Sequence, residues 1–434
     1  MNEIFTARGS VLIAGATIGG STADIAIDET GAIAAIGKDA RKTIDADIVI
    51  DGSDRIAVPG LVNTHTHAAM SLLRGYADDM ILQDWLSEKI WPLEAHLTGD
   101  DVYAGTKLAC LEMIKSGTVA FNDMYFFMDR AAAAVDEMGM RATLGYGFID
   151  LGMEEKREAE IKATQSLVSH IKSLDNPRIQ AAVGPHSVYT VSPEGLRWCA
   201  EYANEQDIGI HVHLSETEKE VTDCVAQFGK RPAALLDECG CLTQRTVAAH
   251  CCWLDEAECR LLAERGVTAS HNPVSNMKLA VNRAMPYHWL RASGANVALG
   301  TDGCSSNNNL DMFEEMKFAA LLQKFAWNSP TLLPASEALA MATTAGARAL
   351  GTGPGTLTVG APADIVLLDG RAVCNTPLFH ADSNAVYSCN GSAAMTVLCQ
   401  GRILMHEWEV PGEEEIVREA AAAARSLVGR AEDA

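Results

Sequence analysis

Pro59-Gly60-Leu61-Val62-Asn63-Thr64-His65-Thr66-His67 ends a strongly apolar β-type run with two histidines two residues apart. Alternate residues of a strand point to the same side. His65 and His67 can therefore aim both imidazoles at one point beyond the strand's C-terminal end. By itself the pair also fits two polar residues at a strand end, so its meaning depends on the rest of the chain. Apolar β-type runs recur at 56–65, 118–123, 141–149, 178–184, 208–214, 246–251, 267–270 and 295–301. Helical patterns fall between and after them, at 100–116, 128–139, 154–173, 193–206, 217–238, 255–265, 285–293 and 310–326. Alternating strands and helices imply a parallel sheet. Eight such units imply an α/β fold closed into a (β/α)8 TIM-type barrel, with its chemistry at the C-terminal strand ends. An open doubly wound sheet is the alternative, but no Gly-x-Gly-x-x-Gly phosphate loop follows the first strand.

The two ends of the chain read differently. Short β-rich runs broken by Gly and Asp stand at 10–14, 23–27, 32–36 and 48–50, and again at 363–368, 385–388, 395–399 and 402–406. Runs of this kind predict antiparallel strands with turns, and the two sets together predict one small β-sandwich beside the barrel. The Ala/Glu/Arg-rich stretch 413–427 predicts a surface helix. The chain thus divides into residues 1–58 (the N-terminal half of the sandwich), 59–355 (the barrel) and 356–434 (the C-terminal half with a terminal helix).

Thirty-four Lys+Arg against 57 Asp+Glu leave a net charge of −23. A field of that sign repels nucleic acid and anionic membrane surfaces, and no Lys/Arg run counters it, so the partner expected is a small molecule. Residues 1–15 carry no secretory signal pattern, and no stretch approaches the ~18 apolar residues of a membrane span. The 12 Cys are scattered without a Cys-x-x-Cys pair; they read as reduced, buried thiols of a cytoplasmic protein.

The later strand ends add further ligand types. His213 closes the fifth strand in Ile210-His211-Val212-His213-Leu214-Ser215-Glu216, His250 the sixth in Ala248-Ala249-His250, and Asp302 the eighth in Leu299-Gly300-Thr301-Asp302-Gly303. Each stands where a barrel places its catalytic groups. The result is a set of three His and one Asp, with His250 and Glu216 beside it. Imidazole and carboxylate together suit zinc, iron or manganese.

This constellation resembles the amidohydrolase superfamily over nearly the whole chain. Several segments are similar to its methylthioadenosine/S-adenosylhomocysteine deaminase family, which includes 5′-deoxyadenosine deaminases. They are Ser71-Leu72-Leu73-Arg74-Gly75, Trp91-Pro92-Leu93-Glu94, Gly184-Pro185-His186-Ser187, His213-Leu214-Ser215-Glu216-Thr217, His271-Asn272-Pro273-Val274-Ser275-Asn276-Met277-Lys278-Leu279, and Gly300-Thr301-Asp302-Gly303 with Asn307-Asn308-Asn309-Leu310-Asp311. The resemblance implies that His65, His67, His213 and Asp302 hold one divalent metal ion, zinc before iron or manganese. It implies that Glu216 shuttles a proton between water and the ring, that His250 orients the water, that Glu94 accepts hydrogen bonds from the ribose hydroxyls, and that His186 contacts the nucleoside. Relatives with two metals bridge them with a lysine on the fourth strand; here 178–187 carries His186 and no lysine, which implies a mononuclear site. A homo-oligomer, in the limit a tetramer, is also implied.

Chemistry agrees with these roles. A metal lowers the pKa of bound water towards ~7. Hydroxide attack on C6 of adenine requires a proton at N1, which Glu216 is placed to deliver, while Asp302 can pass a second proton to the departing ammonia. A carboxylate has two acceptor oxygens, which match the vicinal diol assigned to Glu94. The expected activity is hydrolytic deamination of adenosine-type nucleosides: 5′-deoxyadenosine slightly ahead of 5′-methylthioadenosine, S-adenosylhomocysteine and adenosine. The alternative is a guanine, cytosine or s-triazine aminohydrolase or chlorohydrolase of the same superfamily.

Other residues are read more plainly. His211 faces the same way as His213 one layer deeper and predicts a barrel-core histidine. His271 fits either a loop-holding or a site-lining role. Trp85 and Trp91 either wall the base pocket or pack the long loop. His96, His170, His288, His380 and His406 lack companions. Tyr146 aligns where relatives that bind the homocysteine carboxylate carry an arginine; Arg157 is the expected partial substitute. The segment 280–286 departs from the Gly-containing loop of relatives.

Overall fold

The computed structural model describes residues 3–6 and 9–433; the other positions of the stretch 1–15, and Ala434, lie outside it. Strands are numbered along the chain. The N-terminal part supplies β1 (Val11–Ile18), β2 (Ser21–Ile27), β3 (Ile33–Gly37), β4 (Ile48–Asp51) and β5 (Arg55–Pro59). The middle supplies β6 (Leu61–Thr66), β7 (Thr118–Tyr125), β8 (Arg141–Phe148), β9 (Ile179–Pro185), β10 (Gly209–Leu214), β11 (Thr246–His250), β12 (Thr268–His271) and β13 (Asn296–Leu299). The C-terminal part supplies β14 (Ile365–Asp369), β15 (Ala394–Cys399) and β16 (Arg402–Met405).

From β6 to β13 each strand pairs in parallel with the next. Every residue of β6, β7, β11 and β12 is buried. Burial on both faces is why these runs do not show the apolar–polar alternation of a sheet with one wet face. The helices between them carry their own start and stop signals. Thr98 with Asp101 and Asp255 with Glu258 form reciprocal N-terminal caps. Gly139, Gly229, Gly266 and Gly294 end helices in the left-handed conformation. The helical stretch 217–238 is two helices, Glu218–Phe228 and Pro232–Glu238, because Gly229 ends one and Pro232 opens the next.

The barrel closes between β13 and β6 by side chains and one backbone bond rather than by a ladder. The Asn63 amide donates to Thr301 Oγ1 at 2.7 Å and accepts the Thr301 N–H at 3.1 Å. Thr64 Oγ1 donates to the Leu299 carbonyl at 2.9 Å, and the Asp302 N–H to the His65 carbonyl at 2.9 Å. Gly300 permits this approach: a Cβ there would stand 2.6 Å from Asn272 Oδ1 and 2.7 Å from His65 Cβ.

The two chain ends build one mixed sheet, in the order β16-β15-β14-β5-β1-β2-β3, with β4 also paired to β1. Its interior is separate from that of the barrel and draws on both ends, with Ile13, Ile25 and Ile33 meeting Ile365, Leu367 and Leu398. The run expected at 56–65 is two strands. β5 stays in this sheet against β14, and the barrel starts at Leu61. Gly60 lies at the junction, where a Cβ would come within 2.6 Å of Val119. Arg141, at the start of β8, pairs with Asp364 and donates to the Thr352 carbonyl, tying barrel and sheet together.

One expected strand is a helix. Residues 385–387 of the run 385–388 lie in the helix Ala381–Tyr387, which Ser388 caps; Ala381 and Ala385, one turn apart, face the core with Val386. The terminal helix runs Glu413–Glu432 and buries Ile416, Ala420 and Leu427. Among the described residues no helix is long and apolar enough to cross a membrane. All twelve cysteines are free and eleven of them buried.

Candidate active site

Residues at the C-terminal strand ends converge. His67, Glu94, His186, His213, Glu216, His250 and Asp302 line one cavity. His65 adjoins them, wholly buried, its ring 4.9 Å from those of His67 and His213. Each histidine is oriented by the hydrogen bond on its far nitrogen. His67 Nδ1 donates to the Met124 carbonyl at 2.6 Å and His213 Nδ1 to the His186 carbonyl at 2.7 Å. A carbonyl only accepts, so both rings carry their proton on Nδ1 and present a bare Nε2. These two Nε2 atoms are 3.3 Å apart. His65 Nδ1 meets His211 Nε2 at 2.7 Å, while its own Nε2 is buried without a hydrogen-bond partner.

Asp302 Oδ1 lies 3.4 Å from His65 Nε2 and 3.3 Å from His67 Nε2. Its Oδ2 is held by the hydroxyls of Ser275 at 2.6 Å and Ser306 at 3.0 Å. The donor atoms of His65, His67 and His213 all lie within 4.8 Å of one another, and so do those of His65, His250 and Asp302. Burial pushes His65 and His250 down to about 4 and His213 well below the usual imidazole range. Burial pushes the Asp302 carboxyl up, but the imidazoles of His65, His67 and His250 outweigh it and hold the group well below the usual carboxylate range. Bare imidazole nitrogens, one anionic oxygen and a partnerless Nε2 fit a divalent zinc, iron or manganese ion. His65, His67, His213 and Asp302 could hold it.

His250 and Glu216 flank this set. Asn276 donates to His250 Nδ1 at 2.8 Å, so the His250 proton sits on Nε2, 3.9 Å from Glu216 Oε2. Burial, and secondarily Asp302, push Glu216 up to about 8. Ser215, His250 and Asp302 adopt left-handed backbone with φ of 49°, 70° and 64°. Such conformations cost on the order of 1–3 kcal/mol each outside glycine and gather at functional sites.

On the other side of the cavity the Tyr125 hydroxyl donates to Glu94 Oε1 at 2.6 Å. Burial pushes Glu94 up to about 7, and the Tyr125 bond opposes it. Leu82, Trp85, Leu86, Trp91, Phe126 and Ile149 add an apolar wall. No described residue lining the cavity is an arginine or lysine. His186 Nδ1 bonds Thr190 Oγ1 at 2.8 Å, which fixes its ring.

The remaining expectations divide around this cavity. Arg157 does not reach it: its nearest acidic group is Asp150, 3.8 Å away, and it donates weakly to Ser192 Oγ. Tyr146 is likewise absent from the lining. Trp85 and Trp91 both wall the cavity, Trp85 through an indole whose N–H donates to the Ala77 carbonyl. His211 is a buried barrel histidine and also the partner of His65. His271 is buried against Gln323, outside the lining. From segment 280–286 no residue lines the cavity; the neighbouring Leu279 does. Tyr125, Ser275, Asn276 and Ser306 were not singled out from the sequence. Ser275 and Asn276 lie within the 271–279 segment, and Tyr125 ends the second barrel strand; those positions were the available signals.

A model of the amidohydrolase family matches residues 56–404. The chain is 65% identical over 432 residues to a protein of Methanoregula boonei named 5′-deoxyadenosine deaminase, covering 99% of this chain and 98% of that one. It is 48% identical over 393 residues to 5-methylthioadenosine/S-adenosylhomocysteine deaminase 1 of Archaeoglobus fulgidus, covering 90% and 92%. Among solved structures it is similar to a zinc-bound adenosine deaminase from Xanthomonas campestris, with TM-score 0.90, 36% identity, and coverage of 98% and 99%.

Proposed function

The chain belongs to the amidohydrolase family, and on that premise we propose that it is a metal-dependent deaminase of adenosine-type nucleosides with modified 5′ groups, 5′-deoxyadenosine foremost. The reaction adds water at C6, breaks the C6–N bond, and releases the inosine analogue and ammonia. The observation that carries this reading is the pairing of two buried carboxylates across one cavity, Glu216 beside His250 and Glu94 on the Tyr125 hydroxyl. A free base or a triazine has no diol for Glu94 to receive.

His65, His67, His213 and Asp302 would hold one divalent ion, zinc before iron or manganese. When bound it supplies the Lewis acidity that brings the pKa of water towards ~7. His250 donates through Nε2 and orients the attacking water. Glu216 takes a proton from that water and delivers it to ring N1. Asp302, fixed on Oδ2 by Ser275 and Ser306 and on Oδ1 by the Gly303 N–H, accepts the second proton and passes it to the leaving ammonia. Glu94 accepts from the ribose hydroxyls, and His186 borders the nucleoside from the fourth barrel strand. A cavity lined without cations lacks the bidentate partner a homocysteine carboxylate calls for; that supports a small 5′ group. The twelve free cysteines support a cytoplasmic protein, which we take to be a homo-oligomer.

An ultraviolet assay of the adenine-to-hypoxanthine change tests the reading. Metal-replete protein should give kcat/KM of ~10⁴ M⁻¹s⁻¹ or more with 5′-deoxyadenosine, and less with S-adenosylhomocysteine. No turnover of any adenosine, alongside turnover of guanine, cytosine or a triazine, would overturn it.

The ribose assignment has its own test. Glu94→Ala should raise KM for 5′-deoxyadenosine by ~10²-fold or more, because a buried diol loses its acceptor. Glu94 binds the diol as a carboxylate, so KM should worsen as pH falls below about 7. Tyr125→Phe removes the bond that stabilises the anion and should move that rise to higher pH. Unchanged KM in Glu94→Ala sinks the assignment.

A further inference from the structure

Three helices of this chain start with a cap whose side chain accepts the N–H of an acidic residue three positions on: Thr98 with Asp101, Thr217 with Glu220, and Asp255 with Glu258. In two of them the acid reaches back to the N–H of its own cap. Asp101 Oδ2 accepts from Thr98 at 2.8 Å, and Glu258 Oε2 from Asp255 at 3.0 Å. That reciprocal pair is the usual function of the motif. Glu220 does something else. Its carboxylate passes the Thr217 N–H and takes the two before it, with Oε1 on the Ser215 N–H at 2.8 Å and Oε2 on the Glu216 N–H at 2.9 Å.

The surroundings make this a costly choice for a merely structural cap. Glu220 is 4% exposed and makes no ion pair among the described residues. Burial pushes its carboxyl up to about 8, and the two N–H bonds pull against that rise. A buried carboxylate without a cation is tolerated when hydrogen bonds satisfy it, and here two backbone N–H groups do so. The turn that it grips is strained, with Ser215 at φ 49°. The Ser215 hydroxyl is buried without a partner, so that residue contributes its backbone and not its side chain. From the opposite side the Trp253 N–H donates to the Ser215 carbonyl at 2.8 Å. The peptide leading into Glu216 is thus held on both faces.

We infer that Glu220 is a positioning residue for the deamination: its carboxylate clamps the Ser215 and Glu216 N–H groups and so fixes where the Glu216 side chain meets water and ring N1. The inference rests on the proposed role of Glu216. An isosteric Glu220→Gln keeps the volume but leaves one oxygen for two N–H groups and turns an amide N–H onto the other. The turn can then relax from its strained backbone and shift Glu216. A misplacement of ~1 Å in a reacting group costs about 10²-fold in rate.

The experiment compares wild type, Glu220→Gln, Glu220→Asp and the double variant Glu220→Gln/Glu216→Gln with 5′-deoxyadenosine, measuring kcat, KM and bound metal. Glu220→Gln should lose kcat by about 10²-fold, with KM within about threefold and metal content unchanged. Glu220→Asp keeps both oxygens on a shorter stem and should fall between; it carries the test alone if Glu220→Gln does not fold. In the Glu216→Gln background the Glu220 change should lower the residual rate no further, since both act through one group. Wild-type kcat in Glu220→Gln, parallel loss of KM and metal, or an additive double variant would overturn the clamp. A wild type that deaminates no adenosine nucleoside would instead overturn the proposed function on which the clamp rests.

Discussion

Glu216→Gln keeps its metal and loses turnover by about 10²–10⁴-fold, the range general acid–base catalysis contributes. The substitution preserves shape and leaves His65, His67, His213 and Asp302 untouched, so metal content should match wild type. What disappears is the exchangeable proton. Burial raises the proton affinity of the Glu216 carboxylate, so that it can take a proton from water and hold it for N1, and His250 Nε2 faces it from 3.9 Å. Glutamine offers neither a proton for N1 nor a base for water. Nucleoside affinity should change little, because Glu94 and the apolar wall remain. Steady-state kinetics with metal analysis on the same sample decide the matter: full activity, or metal lost with activity, refutes the role.

Stripping the metal should act on rate and stability together. Dialysis against a chelator should abolish deamination, and added zinc, iron or manganese should restore it. A ligand that binds only the folded protein stabilises it by about 4 kcal/mol at 1,000 times its Kd, so calorimetry should record a clear fall in Tm on removal. His67→Ala and Asp302→Asn should lower metal stoichiometry, whereas His186→Ala should not. A stripped protein with wild-type rate and Tm would refute the metal site.

Much of this architecture was legible from periodicity and strand-end chemistry. The barrel was readable because its strands are buried on both faces and its helices carry caps, so the period changes sharply at each junction. His65, His67, His213, His250 and Asp302 could be grouped because a parallel barrel brings all C-terminal strand ends to one rim. The missing pieces have specific causes. Gly60 splits one apolar run between two sheets; the Pro59-Gly60 pair was the available signal of a break, and the approach of Val119 holds glycine there. Residues 385–388 look strand-like in isolation, yet 385–387 are helical because a neighbouring core accepts Ala381, Ala385 and Val386. Arg157 was placed near the substrate by sequence distance, yet it faces Asp150. Ser275 reaches Asp302 across 27 residues and Tyr125 reaches Glu94 across 31, pairings that spacing does not announce. Glu220 shows the reverse: its spacing from Thr217 spells an ordinary cap, and only the folded chain reveals that the carboxylate is aimed elsewhere.

Seven of the barrel's eight joints are strand ladders; the eighth, between β6 and β13, rests on Asn63, Thr64 and one backbone bond from Asp302. His65 and His67 stand on one side of that joint and Asp302 on the other. An ion held by all three would also span the one joint that no ladder closes, so the residues proposed to serve the reaction would tie the first and last strands of the cylinder together.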